Sequence, residues 1–198
     1  MAGHITDNEA KMKALWKRIE ETYPKVMAYG CATHMLHLLL SDIAALEPFK
    51  TMLDDARCVI KWFRNHHYTN GLVKTFTMRR FGNELRIIKP CATRFASMVY
   101  ATERLKLLKG VLRNITSEDE YEQYLRRRKD SEGEKATRIV DSAGFWGSLS
   151  AFLNVTLPVR QFLRYTDSGQ SLACKVPRLA SSIKLTRFLY RYTTGSSS

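Results

Sequence analysis

The sequence predicts a mainly α-helical protein with a small α/β edge near its N-terminus. Apolar residues recur at helical spacing over most of the chain, whereas two short stretches, "GHIT" and "KVMAYG", read as strand segments. No apolar run approaches the roughly 20 residues that a membrane-spanning helix needs, so we expect no membrane association. The 198 residues, 44% of them hydrophobic, are enough to bury a core as one domain or one and a half.

The first 47 residues are expected to alternate between strand and helix. "GHIT" is interpreted as a strand end, and residues 9–23 carry apolar side chains at helical spacing until Pro24 ends the segment. "KVMAYG" follows as a short strand. A second helical stretch is expected over residues 31–46, before Pro48.

Beyond Pro48 the pattern is almost entirely helical. Residues 49–63 form an apolar stripe of about four turns, and a Tyr-Thr-Asn-Gly turn at 68–71 is expected to end or bend that helix. "LRIIKPCATRFAS" is less regular. A long helical segment is then expected over residues 93–114.

The C-terminal half is expected to contain further helices and a basic tail. "SEDEYEQYLRRRKDSEGEK" opens with Ser117 as a capping residue followed by acidic residues, and its basic residues suit the last turn of a helix. Two short helical stretches are expected around Pro158. From residue 175 onward the chain has no acidic residue, and we expect that tail to be disordered.

The charge balance favours a polyanionic partner. Lys and Arg outnumber Asp and Glu by 32 to 19, which gives a formal net charge of +13. A phosphate backbone is the partner that these basic residues would suit. The alternative is a charged face in contact with solvent, followed by a disordered end. The candidate DNA-binding residues are Arg126, Arg127, Arg128 and Lys129 in one run, with Lys184 and Arg187 in the tail.

Cys31 and His34 raise the question of a metal site, because they stand three residues apart at the start of an apolar run. A structural zinc site needs four ligands, usually as two spaced pairs. His37, His66 and His67 lack the matching spacing, so the ligand count disfavours zinc. We expect instead a buried thiol and a hydrogen-bonded imidazole that fasten a strand to a helix. The four distant cysteines also suit a reducing, intracellular compartment.

Four motifs, in order, resemble the hAT superfamily of cut-and-paste DNA transposases. They are "ITDNEAKMKALW", "YGCATHMLHLLLSDI", "KPCATRFASMVYATERL" and "FWGSLSAFLNVTLPVRQFLRYTD". The resemblance implies a truncated RNase H-like fold plus a helical insertion domain. It divides the chain into a catalytic-core fragment at 1–47, an insertion-like region at 48–174 and the basic tail at 175–198.

The resemblance also assigns individual residues. Asp7 matches the second of the three catalytic carboxylates of the family, although an Asp before Asn also suits a helix cap. Arg94 suits either a phosphate contact or a solvated charge at a helix start. Phe95 stands where the family usually has Trp. The motif residues that the resemblance assigns are Cys31, His34, Arg94 and Trp146.

We expect the chain to be catalytically incomplete and not an enzyme. By the resemblance, the strand with the first carboxylate would precede Met1, and the region with the third would follow about residue 175. Transposition chemistry of this type uses two Mg²⁺ ions about 4 Å apart between shared acidic ligands. Asp7 alone cannot hold that pair, so no cofactor is expected in this fragment, and Mg²⁺ is expected for an intact family member. The expected function is non-specific DNA binding in the nucleus by a domesticated, transposase-derived protein.

Two alternatives remain at this point. The helical domain could be a protein-interaction module that binds a full-length homologous transposase or another protein, or the chain could be a wrongly delimited piece of an active transposase. A basic stripe along one face would favour DNA binding. An uncovered apolar patch beside Trp16 and Val26 would favour a missing protein partner.

Overall fold

The protein is mainly helical, as the sequence predicts. A computed structural model describes residues 2–6, 10–91 and 96–167, and these ranges contain eight helices and two strands. In chain order the elements are β1 (Ala2–Thr6), α1 (Ala10–Thr22), β2 (Val26–Gly30), α2 (Ala32–Ala45), α3 (Phe49–Asn65), α4 (His67–Phe81), α5 (Ala96–Thr116), α6 (Asp119–Arg128), α7 (Ser131–Asp141) and α8 (Ala143–Asp167). Among the described residues, no helix has the length and apolar character that crossing a membrane requires.

Contacts divide the chain into two compact units. The strand unit comprises Met1–Ser41 and Leu157–Ser198, and the helical unit comprises Asp42–Thr156. The tail predicted at 175–198 lies outside the described residues. The three-part division expected from the resemblance therefore stays a prediction.

In the strand unit, β1 and β2 form a parallel pair in which Thr6 lies opposite Gly30. Parallel strands need a crossover connection, and α1 supplies it. The Trp16 indole N–H donates to the Thr6 hydroxyl at 2.6 Å, and the backbone N–H of Ala28 donates to the Glu20 carboxylate at 3.2 Å. These two hydrogen bonds tie α1 to both strands.

The helical unit has a core of large aromatic and aliphatic side chains. Helix α3 packs against α4 and α7, and α5 packs against α4, α6 and α7. Phe49 and Phe152 meet edge to face with ring centroids 5.6 Å apart, while Phe63 stacks on Tyr121 at 6.1 Å. All four rings are fully buried, and burying each one stabilises the fold by about 1.5–3 kcal/mol.

A chain of polar contacts crosses this core and joins α3, α6 and α7. The Trp62 indole donates to the Tyr121 hydroxyl at 3.0 Å, Tyr121 bonds the Thr137 hydroxyl at 2.9 Å, and Thr137 donates to the Gly133 carbonyl at 2.9 Å. Burial raises the pKa of the Tyr121 hydroxyl. A Cβ added at Gly133 would lie 2.5 Å from Leu125 Cδ2 and 2.6 Å from Trp62 Cζ2, so the close packing of α7 depends on this glycine.

The turn expected at 68–71 is wrong, because those residues lie in the first turns of α4. The chain breaks instead at His66, whose ψ of 128° is extended. Thr69 is buried, and its hydroxyl donates to the Trp62 carbonyl at 2.9 Å and contacts the His66 carbonyl at 3.2 Å. The bond to the Trp62 carbonyl satisfies a group that the end of α3 leaves without a helical partner, and the His66 carbonyl also accepts from the Asn70 N–H at 3.0 Å, so the break needs no turn at Gly71.

The capping role expected for Ser117 is also wrong. Its hydroxyl donates to the Arg113 carbonyl at 2.8 Å and so closes α5, while Glu118 occupies the N-cap position of α6 without a side-chain cap. The acidic first turn and basic last turn of that helix are present as expected.

The start of α7 within residues 117–135 was not predicted. Residues 117–135 hold the end of one helix and the start of another, because Lys129 adopts a φ of +50° and Asp130 caps α7 by accepting from the Glu132 N–H at 3.0 Å. Around Pro158, by contrast, α8 is one helix and not two. The missing N–H of Pro158 leaves the Asn154 carbonyl without its helical donor, and Asn154 is exposed, so water can satisfy that group.

Candidate nucleic-acid interface

Four of the residues that the sequence singled out lie outside the described residues. They are Asp7, Arg94, Lys184 and Arg187. The carboxylate that the resemblance assigns to magnesium is among them, so no ligand set for Mg²⁺ is assembled among the described residues. The assignments of these four residues stay predictions.

Cys31 stands at the junction of β2 and α2. Its backbone N–H donates to the Thr6 carbonyl of β1 at 2.8 Å, and its carbonyl accepts from the Met35 N–H at 3.1 Å in the first turn of the helix. The side chains of Cys31 and His34 are half-buried. Within the described residues, the expected hydrogen bond of the His34 ring is not seen, and no three His, Cys, Asp or Glu side chains are grouped to hold a metal ion.

Trp146 is a packing residue of the helical unit. Its ring is buried, its indole N–H donates to the Val140 carbonyl at 2.7 Å, and it meets Phe145 edge to face at 4.9 Å. The Lys109 ammonium lies 5.5 Å from the ring centroid. These contacts fasten the end of α7 to the start of α8.

The four residues of the basic run (Arg126, Arg127, Arg128 and Lys129) are all exposed, but two of them have acidic partners. Arg126 pairs with Glu122 at 2.5 Å, one helical turn away, and Arg128 lies 3.7 Å from the Asp130 carboxylate. Arg128 also lies over the Tyr124 ring. Much of the positive charge of this run is therefore compensated within the chain.

A second group of basic residues, which sequence reasoning missed, lines an open cleft of about 350 Å³ in the helical unit. We define the basic cleft by its lining residues, which are Arg64, Asn65, Asn70, Lys74, Arg86 and Ile87. Among the described residues, no acidic side chain lines it. Arg64, Lys74 and Arg86 have no ion-pair partner within the described part of the chain, and Lys74 is half-buried. The cleft therefore carries uncompensated positive charge.

The segment between α4 and α5 places Arg86 against this cleft. Just before it, the Leu85 N–H donates to the buried Thr77 hydroxyl at 3.1 Å. The Arg86 carbonyl accepts from the Arg104 guanidinium at 2.9 Å, and the next residue, Ile87, is 4% exposed. The backbone of Arg86 is thus held from both sides while its side chain is exposed.

A smaller pocket of about 180 Å³ adjoins the basic cleft through Asn65, which lines both. Its further lining residues are Arg57, Ile60, Lys61, Lys89 and Pro90. Here two cations are paired, because Arg57 contacts Asp54 and Lys61 contacts Glu132, each at 2.5 Å. The unpaired charge is concentrated in the larger cleft.

The local charge balance is the signal that could have identified this region. Between positions 64 and 113 the sequence has eleven Lys and Arg residues but two acidic residues, Glu84 and Glu103. The basic residues are Arg64, Lys74, Arg79, Arg80, Arg86, Lys89, Arg94, Arg104, Lys106, Lys109 and Arg113. They are scattered along about 50 residues and form no run, which is why a search for clusters in the sequence passes over them.

Comparison with protein-family models, with curated proteins and with solved structures found no match for this chain.

Proposed function

We propose that this chain binds nucleic acid without sequence preference through the helical unit. The observation that carries the proposal is the basic cleft, where Arg64, Lys74 and Arg86 converge without an acidic partner among the described residues. Contacts between cations and phosphates supply most of the affinity of non-specific nucleic-acid binding, because they release condensed counterions. The net charge of +13 favours the same class of partner.

We further propose that this chain derives from a transposase of the hAT type and acts in the nucleus. The order of the four motifs supports this origin, and so does the parallel β1–α1–β2 unit, which suits the edge of the RNase H-like sheet that the resemblance implies. The sequence matches Asp7 to one of the three catalytic carboxylates. Because one matched carboxylate cannot hold a pair of Mg²⁺ ions, the proposed activity is binding without strand cleavage, with no cofactor.

A salt titration tests the proposed function. The chain is titrated into two fluorescently labelled duplexes of unrelated sequence, at about 50 and 200 mM salt. If several Lys and Arg residues engage phosphates, the affinity should fall at least about tenfold across this range and equally for both duplexes. Affinity that is flat in salt would refute binding through the phosphate backbone, and strand breaks in the presence of Mg²⁺ would refute the absence of cleavage.

The second candidate function is a protein-interaction module. Exposed apolar side chains in the strand unit favour it. These side chains are Ile5, Leu15, Tyr23, Met27, Met35 and Leu38, with exposures of 40–60%. A surface of this kind suits a full-length homologous transposase or another protein as partner. The helical domain, where the sequence placed the interaction, has fewer such residues among those described.

Sedimentation at low and high salt separates the two candidates. Association through an apolar surface persists or strengthens as salt rises, whereas nucleic-acid binding weakens. Self-association that survives high salt and is abolished by Met27→Asp would support the second candidate. A monomer at all salt concentrations would argue against a second copy as the partner.

A further inference from the structure

We infer that the basic cleft is a phosphate subsite, and that a phosphodiester group of a nucleic-acid backbone occupies it. The inference deepens the proposed function and rests on it. It assigns the contact to the five polar residues that line the cleft, which come from α3, α4 and the segment between α4 and α5.

The composition of the cleft fits an anion with several acceptor oxygens. Two guanidinium groups, Arg64 and Arg86, carry planar sets of N–H donors that match phosphate geometry, and Lys74 adds a point charge. Asn65 and Asn70 add amide N–H donors without adding charge. In the part of the chain that the structure describes, no carboxylate lines the cleft to compete with an anionic ligand or to bind a metal cation.

Burial strengthens the argument at Lys74. Its side chain is half-buried, yet it has no acidic partner within the described residues. The hydrocarbon stem of a lysine can pack on the protein while the ammonium group stays at the cleft without an internal counter-charge. A bound phosphate would supply that charge.

The cleft is also organised before any ligand arrives. Arg64 extends from the last turn of α3, and Asn70 and Lys74 lie on α4. Arg86 stands on a backbone held by Thr77 and Arg104. Because the fold fixes these backbone positions, a ligand has to order the side chains alone and not the backbone.

A backbone phosphodiester fits this surface better than a small phosphorylated molecule. The cleft is open, and it shares Asn65 with the smaller pocket, where Lys89 has no ion-pair partner among the described residues. Helices α4 and α5 also carry exposed cations outside the cleft, among them Arg79 and Lys106. A chain of phosphates can engage cations beyond the cleft, whereas a small molecule fills the cleft alone.

The test uses the full chain, a labelled duplex and the double variant Arg64→Gln/Arg86→Gln. The matched control is Lys50→Gln, since Lys50 is an exposed cation at the opposite end of α3 that lines neither pocket. We expect the double variant to lose at least about tenfold in affinity, equally for unrelated sequences, and its dependence of log Kd on log salt to flatten by about 2. The control should change the affinity less than about twofold.

Three results bear on the inference in distinct ways. Equal losses for the double variant and the control would overturn it while leaving non-specific DNA binding intact. No DNA binding by wild type would overturn both the inference and the proposed function. In a second arm, inorganic phosphate is titrated against the melting temperature. Strong cleft-dependent stabilisation by phosphate, without any effect of the double variant on DNA affinity, would assign the cleft to a small phosphorylated ligand and overturn the nucleic-acid source.

Discussion

The basic run and the basic cleft have similar numbers of cations but differ in how those cations are compensated. In the run, Arg126 and Arg128 have acidic partners close in sequence. In the cleft, Arg64, Lys74 and Arg86 come from three separate segments and have no such partner within the described residues.

The surrounding sequence explains the difference. Positions 114–141 contain eight acidic and six basic residues, whereas positions 64–113 contain two acidic and eleven basic residues. A run of cations on a helix that begins with acidic residues finds partners one turn away. A run of basic residues is therefore a poorer guide to an anion site than a segment in which basic residues have few acidic neighbours.

The largest expected effect is a loss of stability on substitution of Gly133, which lies beside Leu125 of α6, the helix that carries the basic run. Gly133→Ala should lower the free energy of unfolding by about 1–3 kcal/mol, because the new Cβ would clash with Leu125 and the buried Trp62 ring. Gly147→Ala is the control, since nothing lies within 4 Å of its added Cβ, and it should be neutral or stabilising by up to about 1 kcal/mol. Urea denaturation measures both. Equal effects would show that α7 does not pack as described.

Tyr121 anchors α6, the helix that carries the basic run, and gives a pH-dependent prediction. Burial raises its pKa above the ordinary value of 10.0, so the folded state keeps the proton that the unfolded state loses. Its contribution to stability is complete below about pH 10 and is lost as pH rises through the higher folded pKa. Wild type should lose stability more steeply above about pH 10 than Tyr121→Phe, measured by denaturation at several pH values.

At neutral pH, Tyr121→Phe should cost about 1–3 kcal/mol, because the buried Trp62 N–H loses its acceptor. Parallel pH profiles for the two proteins would contradict the assigned burial of the hydroxyl. A neutral-pH cost near zero would show that Trp62 finds another acceptor.

Substitution of Asp130 tests whether ion pairing limits DNA binding by the basic run. Asp130→Ala should destabilise by about 1 kcal/mol through loss of the α7 cap, and it should also release Arg128 and strengthen DNA binding. Asp130→Asn is the matched control, because it keeps a capping oxygen and removes the charge. It should gain the same DNA affinity at little cost in stability. Unchanged DNA affinity in both variants would show that the pair does not limit Arg128.

The smallest expected effect concerns the Arg126–Glu122 pair. Arg126→Ala should lower the free energy of unfolding by less than about 0.5 kcal/mol, because both side chains are mostly exposed and the pair is one turn apart on a helix. Chemical denaturation at low and high salt measures it. A loss above about 1 kcal/mol would mean that the pair is part of a stronger network than the structure contains.

The sequence predicted the regular elements better than their ends. The apolar spacing of α1, α2, α3 and α5, and the two short strands, are local signals that the structure bears out. The failures at Ser117 and Pro158 have different causes. Ser117 bonds back one helical turn to Arg113 and so closes α5, and at Pro158 the carbonyl that lacks its donor belongs to the exposed residue Asn154. The start of α7 could have been predicted from Asp130, a residue type that favours the N-cap position. Its side chain accepts from the backbone N–H groups of Glu132 and Gly133.

The basic cleft could not be predicted from spacing along the chain. Arg64 and Arg86 are 22 positions apart, and they line one cleft because α4 packs against α3 and because the segment after α4 is held by Thr77 and Arg104. No helical or strand periodicity encodes such a meeting. Two of the predicted motif residues, Asp7 and Arg94, lie outside the described residues, so their roles stay predictions.

The most direct test of the contrast between the two regions is the salt dependence of DNA affinity in two double variants. Each variant removes two cations, Arg64→Gln/Arg86→Gln from the cleft and Arg126→Gln/Arg128→Gln from the run. We predict that the plot of log Kd against log salt flattens by about 2 for the cleft variant and by less than about 1 for the run variant, because paired arginines release few counterions on binding. A larger change of slope for the run variant than for the cleft variant would contradict the account.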